Sequence, residues 1–190
     1  MHFDSIPPPR VFFFVGSGEG REKDLLERLI ALHPSCSVCP TLNDSIIRHL
    51  PALTRFPAGN ATEAFPELAR SRERILRAGF GDTILRFAGS LSGRRPAAVT
   101  LISASTPTGI DLFFEFFPMV PLVIVDHSAE GSPPVRAFHE KNRHYPLIVV
   151  RPPDLAGNLP RTLTRIFELV GLNRDQYPWS EAERAAATGA

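Results

Sequence analysis

The sequence contains little of what usually marks a metal-binding or redox protein. Its only cysteines are Cys36 and Cys39, a C-x-x-C pair whose spacing suits a redox couple or half of a zinc site. There is no second cysteine pair, and no histidine pair follows the cysteines at the distance typical of a zinc finger. We therefore expect no bound metal, and we interpret the pair as two small thiols at the end of a strand.

A strong charge of one sign and long apolar runs are also missing. The net charge is +1, so no overall field favours nucleic acid or an anionic membrane as a partner. The apolar runs are too short to span a bilayer, and the stretch MHFDSIPPPR at the N-terminus lacks the apolar core of a signal peptide. We expect a soluble, cytoplasmic protein that binds neither nucleic acid nor membrane.

The chain does have a series of short apolar runs that alternate with helical patterns. Hydrophobic residues make up 43% of the 190 residues, enough for the core of one domain. Runs without polar alternation predict buried parallel strands. We place central strands at Val11–Val15, Ala98–Ser103, Leu122–Val125 and Leu147–Val150, and a further short strand at Ser37–Pro40. The predicted fold class is α/β, a parallel sheet covered by helices on both faces.

Apolar residues at helical spacing lie between and after these strands. They predict helices at Asp24–Leu32, Asp44–Leu50, Glu67–Ala78 and Asn158–Leu172, with Gly171 as the C-cap of the last helix. In that helix the recurrence at i, i+3, i+4 and i+7 should turn one set of side chains toward the sheet: Leu163, Ile166, Phe167 and Val170. We assign residues 11–174 to a single domain, preceded by an irregular lead-in (residues 1–10) and followed by a loosely held tail (residues 175–190).

Three stretches of the chain carry a resemblance to a known family. The first, VFFFVGSGEGREKDLLERLIALHP (Val11–Pro34), has the order strand, glycine-rich turn and helix, which is the layout of a phosphate-binding loop. The second is STPTGIDLFFEFFPMVPLVIVDHSAEGS, and the third is LIVVRPPDLAGNLPRTLTRIFELVGL. Together they resemble the PAPS-dependent sulfotransferases, a branch of the P-loop nucleotide-binding proteins.

This resemblance implies a three-layer P-loop-like fold and PAPS (3′-phosphoadenosine 5′-phosphosulfate) as the cofactor. The sulfuryl group would pass to a hydroxyl or amine of a small-molecule acceptor. The glycine-rich loop and the start of its helix would hold the 5′-phosphosulfate, and the segment after VIVDH would hold the 3′-phosphate. The residues so implied are Gly16, Ser17, Gly18, Gly20, Arg21 and Lys23 for the first group, and Ser132 and Arg136 for the second.

Both segments depart from the family pattern. In the first, Glu22, Lys23 and Asp24 stand where the family has a Thr pair, so Arg21 or Lys23 must supply a positive charge that neighbouring carboxylates oppose. In the second, the position of the family's arginine falls at Val125 or Asp126, and an acid there would repel a phosphate. We expect Asp126 and His127 to end a strand and to cap the next turn.

Transfer to an acceptor also needs a general base. The stretch PTLNDSIIRH (Pro40–His49) occupies the place where the family often has P-E-T-N, so Asp44 is the candidate base and His49 the second. The departures keep a non-catalytic, sulfotransferase-like binding or scaffold protein open as the alternative, as a possible homo-oligomer or paired with an active relative. A kinase-like P-loop enzyme is disfavoured because Lys23 is followed by Asp24, which breaks the G-x-x-x-x-G-K-[ST] pattern.

Overall fold

The structure, a computed structural model, describes residues 10–16, 21–39, 49, 52, 66–91, 99–104 and 112–188. Its strands are β1 (Arg10–Gly16), β2 (Cys36–Val38), β3 (Val99–Ala104), β4 (Leu122–Val125) and β5 (Leu147–Val150). Its helices are α1 (Arg21–Ala31), α2 (Pro66–Leu91), α3 (Phe113–Phe116), α4 (Pro133–Asn142), α5 (Pro152–Val170) and α6 (Trp179–Thr188), with a 3₁₀ turn at Arg174–Gln176. None of the helices in these ranges is long and apolar enough to cross a membrane.

All five strands form one parallel sheet in the order β2-β3-β1-β4-β5. The predicted parallel α/β sheet is therefore confirmed, and the bounds of β4 and β5 agree with the prediction. One expectation is wrong: Leu147–Val150 is an edge strand rather than a central one, because its partner on one side is β4 and no described strand pairs with the other. Apolar runs of this kind show that both faces are covered, but they do not give the strand order.

Side chains of β1 alternate between two hydrophobic clusters, one on each face of the sheet. Phe12 and Phe14 pack with buried residues of α1, α5 and α6, and we call this side the α1 face. Val11, Phe13 and Val15 pack with residues of α2, α3 and α4 on the opposite side, which we call the α2 face. All five side chains are almost fully buried, which explains why β1 is apolar without interruption.

Helix α2 is much longer than the predicted helix at Glu67–Ala78, because two glycines that suggest an end lie inside it. Gly81 is buried, and a Cβ placed there would lie 1.7 Å from the carbonyl oxygen of Phe116. Only a glycine allows α2 to pass so close to the backbone of α3. The predicted helix at Asp44–Leu50 lies outside the described residues except at His49.

Helix α5 follows the predicted apolar pattern but begins six residues earlier than predicted, at Pro152. Leu163, Ile166, Phe167 and Val170 are buried on the α1 face, as the spacing predicts. A kink at Asn158 (φ −160°, ψ 63°) divides the helix, and the Asn158 side chain accepts a hydrogen bond from the Arg161 N–H at 3.2 Å. Gly171 ends the helix in the left-handed conformation (φ 72°), which confirms the predicted C-cap.

Residues 175–188 pack against the core, whereas the sequence led us to expect a loosely held tail at residues 175–190. Helix α6 follows the 3₁₀ turn, and Tyr177 and Ala182 are buried on the α1 face. The Tyr177 hydroxyl donates a hydrogen bond to the Leu29 carbonyl oxygen at 2.7 Å, which ties the segment to α1. Burial, with the nearby Glu181 carboxylate, raises the pKa of Tyr177 and keeps this donor protonated.

Candidate functional site

The carboxyl ends of the strands meet at one edge of the sheet, where open parallel sheets bind their ligands. Helix α1, which follows β1, packs on the α1 face. Helices α3 and α4, which follow β3 and β4, pack on the α2 face. Because β3 and β4 are the two neighbours of β1, the connections change face at β1. The end of β1 is thus the topological switch point of the sheet.

Helix α1 begins at Arg21, shortly after the end of β1 at Gly16. Gly16 ends β1, is buried and pairs with Val125. Ser17, Gly18 and Gly20, which were predicted to hold the phosphosulfate, lie outside the described residues. Arg21 is the exposed first residue of α1, and Lys23 is buried with its Nζ 3.2 Å from Glu27 Oε2. The two predicted basic residues therefore lie in the first turn of the helix.

A contact between α1 and the loop after β4 joins two stretches that the sequence separates widely. His127 Nδ1 lies 3.2 Å from Glu22 Oε2. The imidazole is mostly buried and the carboxylate is about two-fifths exposed. Glu22, which we expected to oppose an anion at this place, thus contacts His127 through its Oε2 atom.

Asp126 organises the loop between β4 and α4. Its side chain is fully buried, and its two carboxylate oxygens accept hydrogen bonds from Ser128 N–H at 3.2 Å and Ser132 N–H at 2.7 Å. Its own N–H donates to the Val150 carbonyl at 2.9 Å. These bonds confirm the expectation that Asp126 caps the turn after the strand. His127 makes the contact to α1 instead.

Two unused donors lie beside this loop. The hydroxyl oxygen of Ser132, just before α4, is buried and has no hydrogen-bond partner among the described residues, and the same is true of Arg151 Nε, directly after β5. The Arg151 guanidinium lies against Gly131, since a Cβ on that glycine would be 2.8 Å from its terminal nitrogen. Gly131 has φ +86°, so its bare backbone serves both the turn and the close approach of the arginine.

The remaining predicted residues are dispersed. Arg136 is exposed on α4, one turn after Ser132. His49 is exposed, and Asp44 lies outside the described residues. No group of three His, Cys, Asp or Glu side chains in the described ranges could hold a metal ion.

The C-x-x-C pair lies at β2, on the far edge of the sheet from β4 and β5. Cys36 and Cys39 are both free thiols, and burial raises the pKa of Cys36 to about 12. A thiol with such a pKa stays protonated at neutral pH and is a poor nucleophile. The pair thus has the character of small buried side chains at a strand end.

A cleft lies on another part of the molecule, away from the carboxyl edge of the sheet. It has a volume of about 590 Å³ and is lined by Ile75 and Ala78 of α2 and by Tyr145. Tyr145 immediately precedes β5, so the cleft is at the amino end of that strand. Substrate chemistry at the switch point would not involve it, because the two ends of a strand face opposite edges of the sheet.

Sequence reasoning missed two features of this site. The Glu22–His127 contact joins residues 105 positions apart, and no local pattern indicates it. Arg151 was not among the predicted site residues. The signal that could have found it is its place directly after an apolar strand, where side chains enter the ligand-binding edge. No model of a protein family matches the chain, and no curated protein matches it.

Proposed function

We propose that this protein is a sulfotransferase-like protein with a P-loop-like, three-layer fold. It would bind PAPS and transfer the sulfuryl group to a hydroxyl or amine of a small-molecule acceptor. One observation carries the proposal: β1, the strand at which the connections of the sheet change face, ends only a few residues before the N-terminus of α1. That arrangement suits the phosphate end of a nucleotide.

The 5′-phosphosulfate would lie at the start of α1. The backbone N–H groups in the first turn of a helix and the positive end of the helix dipole attract an anion. Arg21 and Lys23 in the same turn add positive charge. The contact of His127 with Glu22 supports the proposal, because a carboxylate that already has a partner repels a neighbouring phosphate less than an unpaired one.

The 3′-phosphate needs a different pair of residues from those that the sequence suggested. Both carboxylate oxygens of Asp126 accept hydrogen bonds from the loop backbone. Its negative charge would also repel a phosphate. The buried Ser132 hydroxyl and Arg151 Nε fit a phosphate better, because both are donors without a partner among the described residues. Arg151 would then supply the charge that the family takes from an arginine after the strand, and Ser132 keeps its predicted role.

PAPS supplies the activated sulfuryl group when it is bound. The chain's own residues would hold the two phosphates in place and stabilise the charge that develops during in-line transfer. A base would remove the acceptor proton, and Asp44 and His49 remain the candidates for it. The reaction needs no metal ion in this scheme.

Calorimetric titration with 3′-phosphoadenosine 5′-phosphate tests the binding part of the proposal. Adenosine 5′-monophosphate, which lacks the 3′-phosphate, is the matched ligand, and we expect it to bind at least about tenfold more weakly because a buried charge-assisted contact is lost. Ser132→Ala and Arg151→Gln should reduce the difference in affinity between the two nucleotides. Arg161→Gln, at an exposed position of α5, should leave that difference unchanged. Equal affinity for the two nucleotides would contradict the proposed 3′-phosphate site.

A second candidate is a non-catalytic relative that binds a nucleotide without transferring from it. The observation that favours it is the buried Asp126, together with the carboxylates at the start of α1. Sulfur-labelled PAPS separates the two candidates. Label that passes to phenolic or amine acceptors supports the enzyme, and tight binding of PAPS with no transfer across an acceptor panel supports the binding protein.

A further inference from the structure

The outer edge of β5 carries backbone groups that no described strand uses. Toward β4, the carbonyl oxygens of Pro146 and Val150 accept hydrogen bonds from Leu122 N–H and Asp126 N–H, each at 2.9 Å. Because backbone groups alternate along a strand, the N–H and C=O groups of Leu147 and Val149 point the other way. An edge of this kind is a template for pairing with another strand.

A cleft of about 380 Å³ follows this edge. Its floor is Leu147, Ile148 and Val149, and its walls come from α4, from Arg151 after the strand and from both halves of α5. The floor residues are only partly buried, so apolar surface and unused backbone groups are exposed together. An extended peptide satisfies both, since its backbone continues the sheet while its side chains contact the walls.

The walls of the cleft are basic. His139 projects from α4, and Arg151 and Arg165 line the side of α5. One acidic side chain, Asp154, also lines the cleft, but its Oδ2 accepts the Arg151 N–H at 2.9 Å and closes the start of the helix. Acidic side chains of a bound segment would therefore meet arginines, which form strong charge-assisted hydrogen bonds with carboxylates.

We propose that the β5 edge is a docking site for an acidic peptide segment, which adds to the sheet as a sixth strand. Alternate side chains of such a strand would point toward α5, where Arg165 lies, and toward α4, where His139 lies. A second copy of this chain is a poorer occupant, because edge-to-edge pairing would bring the two arginine-lined clefts together. This role is additional to the proposed nucleotide site. The two sites share Arg151, whereas Arg165 and His139 belong to the β5 cleft alone.

Fluorescence anisotropy with a labelled Glu-Val-Glu-Val-Glu peptide tests the proposal directly. We expect saturable binding, with the basic peptide Lys-Val-Lys-Val-Lys at least about tenfold weaker because like charges would face each other. Two further peptides carry N-methyl groups on either the Glu or the Val amides. Strand addition uses the amides of only one set, so one methylated peptide should lose binding and the other should keep it. Equal binding of both methylated peptides would overturn the proposal.

Variants of the protein provide the second arm. Arg165→Glu should weaken the acidic peptide about tenfold, whereas Arg161→Glu, at an exposed position that does not line the cleft, should stay within about twofold of wild type. Val149→Pro removes an outward N–H but none of the hydrogen bonds to β4, so it should weaken the peptide while circular dichroism stays native. If Val149→Pro does not fold, the peptide affinity of Arg165→Glu still tests the proposal.

The two proposals fail separately. Arg165 does not belong to the proposed nucleotide site, so Arg165→Glu should bind 3′-phosphoadenosine 5′-phosphate as wild type does. Peptide affinity that is the same in wild type, Arg165→Glu and Arg161→Glu, or the absence of binding at millimolar peptide, would refute strand addition at β5 whatever the nucleotide titration shows.

Discussion

Two helices on the same face of the sheet begin in opposite ways. Helix α5 follows β5 and starts with Pro152 and Pro153, which have no N–H to offer, and Asp154 folds back to accept the Arg151 N–H. Helix α1 follows β1 and starts with Arg21, Glu22 and Lys23, each of which has an N–H. The start of α5 is therefore closed by its own residues, whereas the start of α1 carries backbone N–H groups and two basic side chains, Arg21 and Lys23, beside two carboxylates.

The difference shows that two helix starts in one fold can have different roles, one in stability and the other in ligand binding. A helix start whose donors are missing or satisfied contributes to stability and has little left for an anion. A helix start with free donors at a switch point can serve a ligand, at some cost in stability. On this account α5 holds the domain together, and the α1 start is the nucleotide end of the site. Three substitutions, taken from the largest expected effect to the smallest, test this division.

Phe167→Ala should produce the largest effect. Phe167 is fully buried, with its ring centroid 4.8 Å from that of Tyr177 and 5.4 Å from that of His33. Removing it leaves a cavity in the α1 face and should lower the free energy of unfolding by about 3–5 kcal/mol. Urea denaturation measures the loss, with the exposed Glu168→Ala as the control. A loss below about 1 kcal/mol would mean that α5 is peripheral, and the comparison would fail.

Asp154→Ala tests the closed helix start. The substitution removes the acceptor for the Arg151 N–H and should lower the free energy of unfolding by about 1 kcal/mol, within the range for lost N-terminal caps. Gly157→Ala is the matched control, because an added Cβ there has no atom within 4 Å and alanine favours the helix by roughly 0.5–1 kcal/mol. The melting temperature should therefore fall in Asp154→Ala and rise in Gly157→Ala. If Asp154→Ala unfolded with the same free energy as wild type, the hydrogen bond that closes the helix start would make no contribution to stability.

Glu22→Gln tests the open helix start and should change stability least. It keeps an acceptor for His127 but loses the favourable charge at the helix N-terminus, so the expected loss is below about 1 kcal/mol. The affinity for 3′-phosphoadenosine 5′-phosphate should rise about threefold, since a repulsion disappears. Glu168→Gln makes the same charge change far from the site and should have no effect. Weaker nucleotide binding in Glu22→Gln would place the anion elsewhere.

Local patterns were enough to predict much of the fold. The apolar runs predicted four of the described strands, β1, β3, β4 and β5. The i, i+3, i+4, i+7 spacing predicted the buried side of α5. Both patterns are properties of a single element. The start of α5 was missed because a Pro-Pro pair is typical of a break as well as of a first helical turn. The order of α6 was missed because it depends on Tyr177 reaching Leu29, far away in the sequence.

The candidate site was less predictable than the fold. Spacing and resemblance pointed to Gly16, Lys23 and Ser132, all of which lie at the carboxyl edge of the sheet or next to it. The partners of these residues come from other strands. His127 meets Glu22, and Arg151 meets Gly131, only after β4 and β5 have paired. A site built between strands cannot be derived from patterns along one strand.

The most direct test of the account is calorimetric titration of wild type and an Arg21→Ala/Lys23→Ala variant with 3′-phosphoadenosine 5′-phosphate, with Arg28→Ala at the other end of α1 as the control. The account predicts that wild type and the control bind the nucleotide, that added salt weakens them, and that the double variant loses binding while its thermal melt stays cooperative. Nucleotide binding that is unchanged in the folded double variant would contradict the assignment of the phosphate to the start of α1.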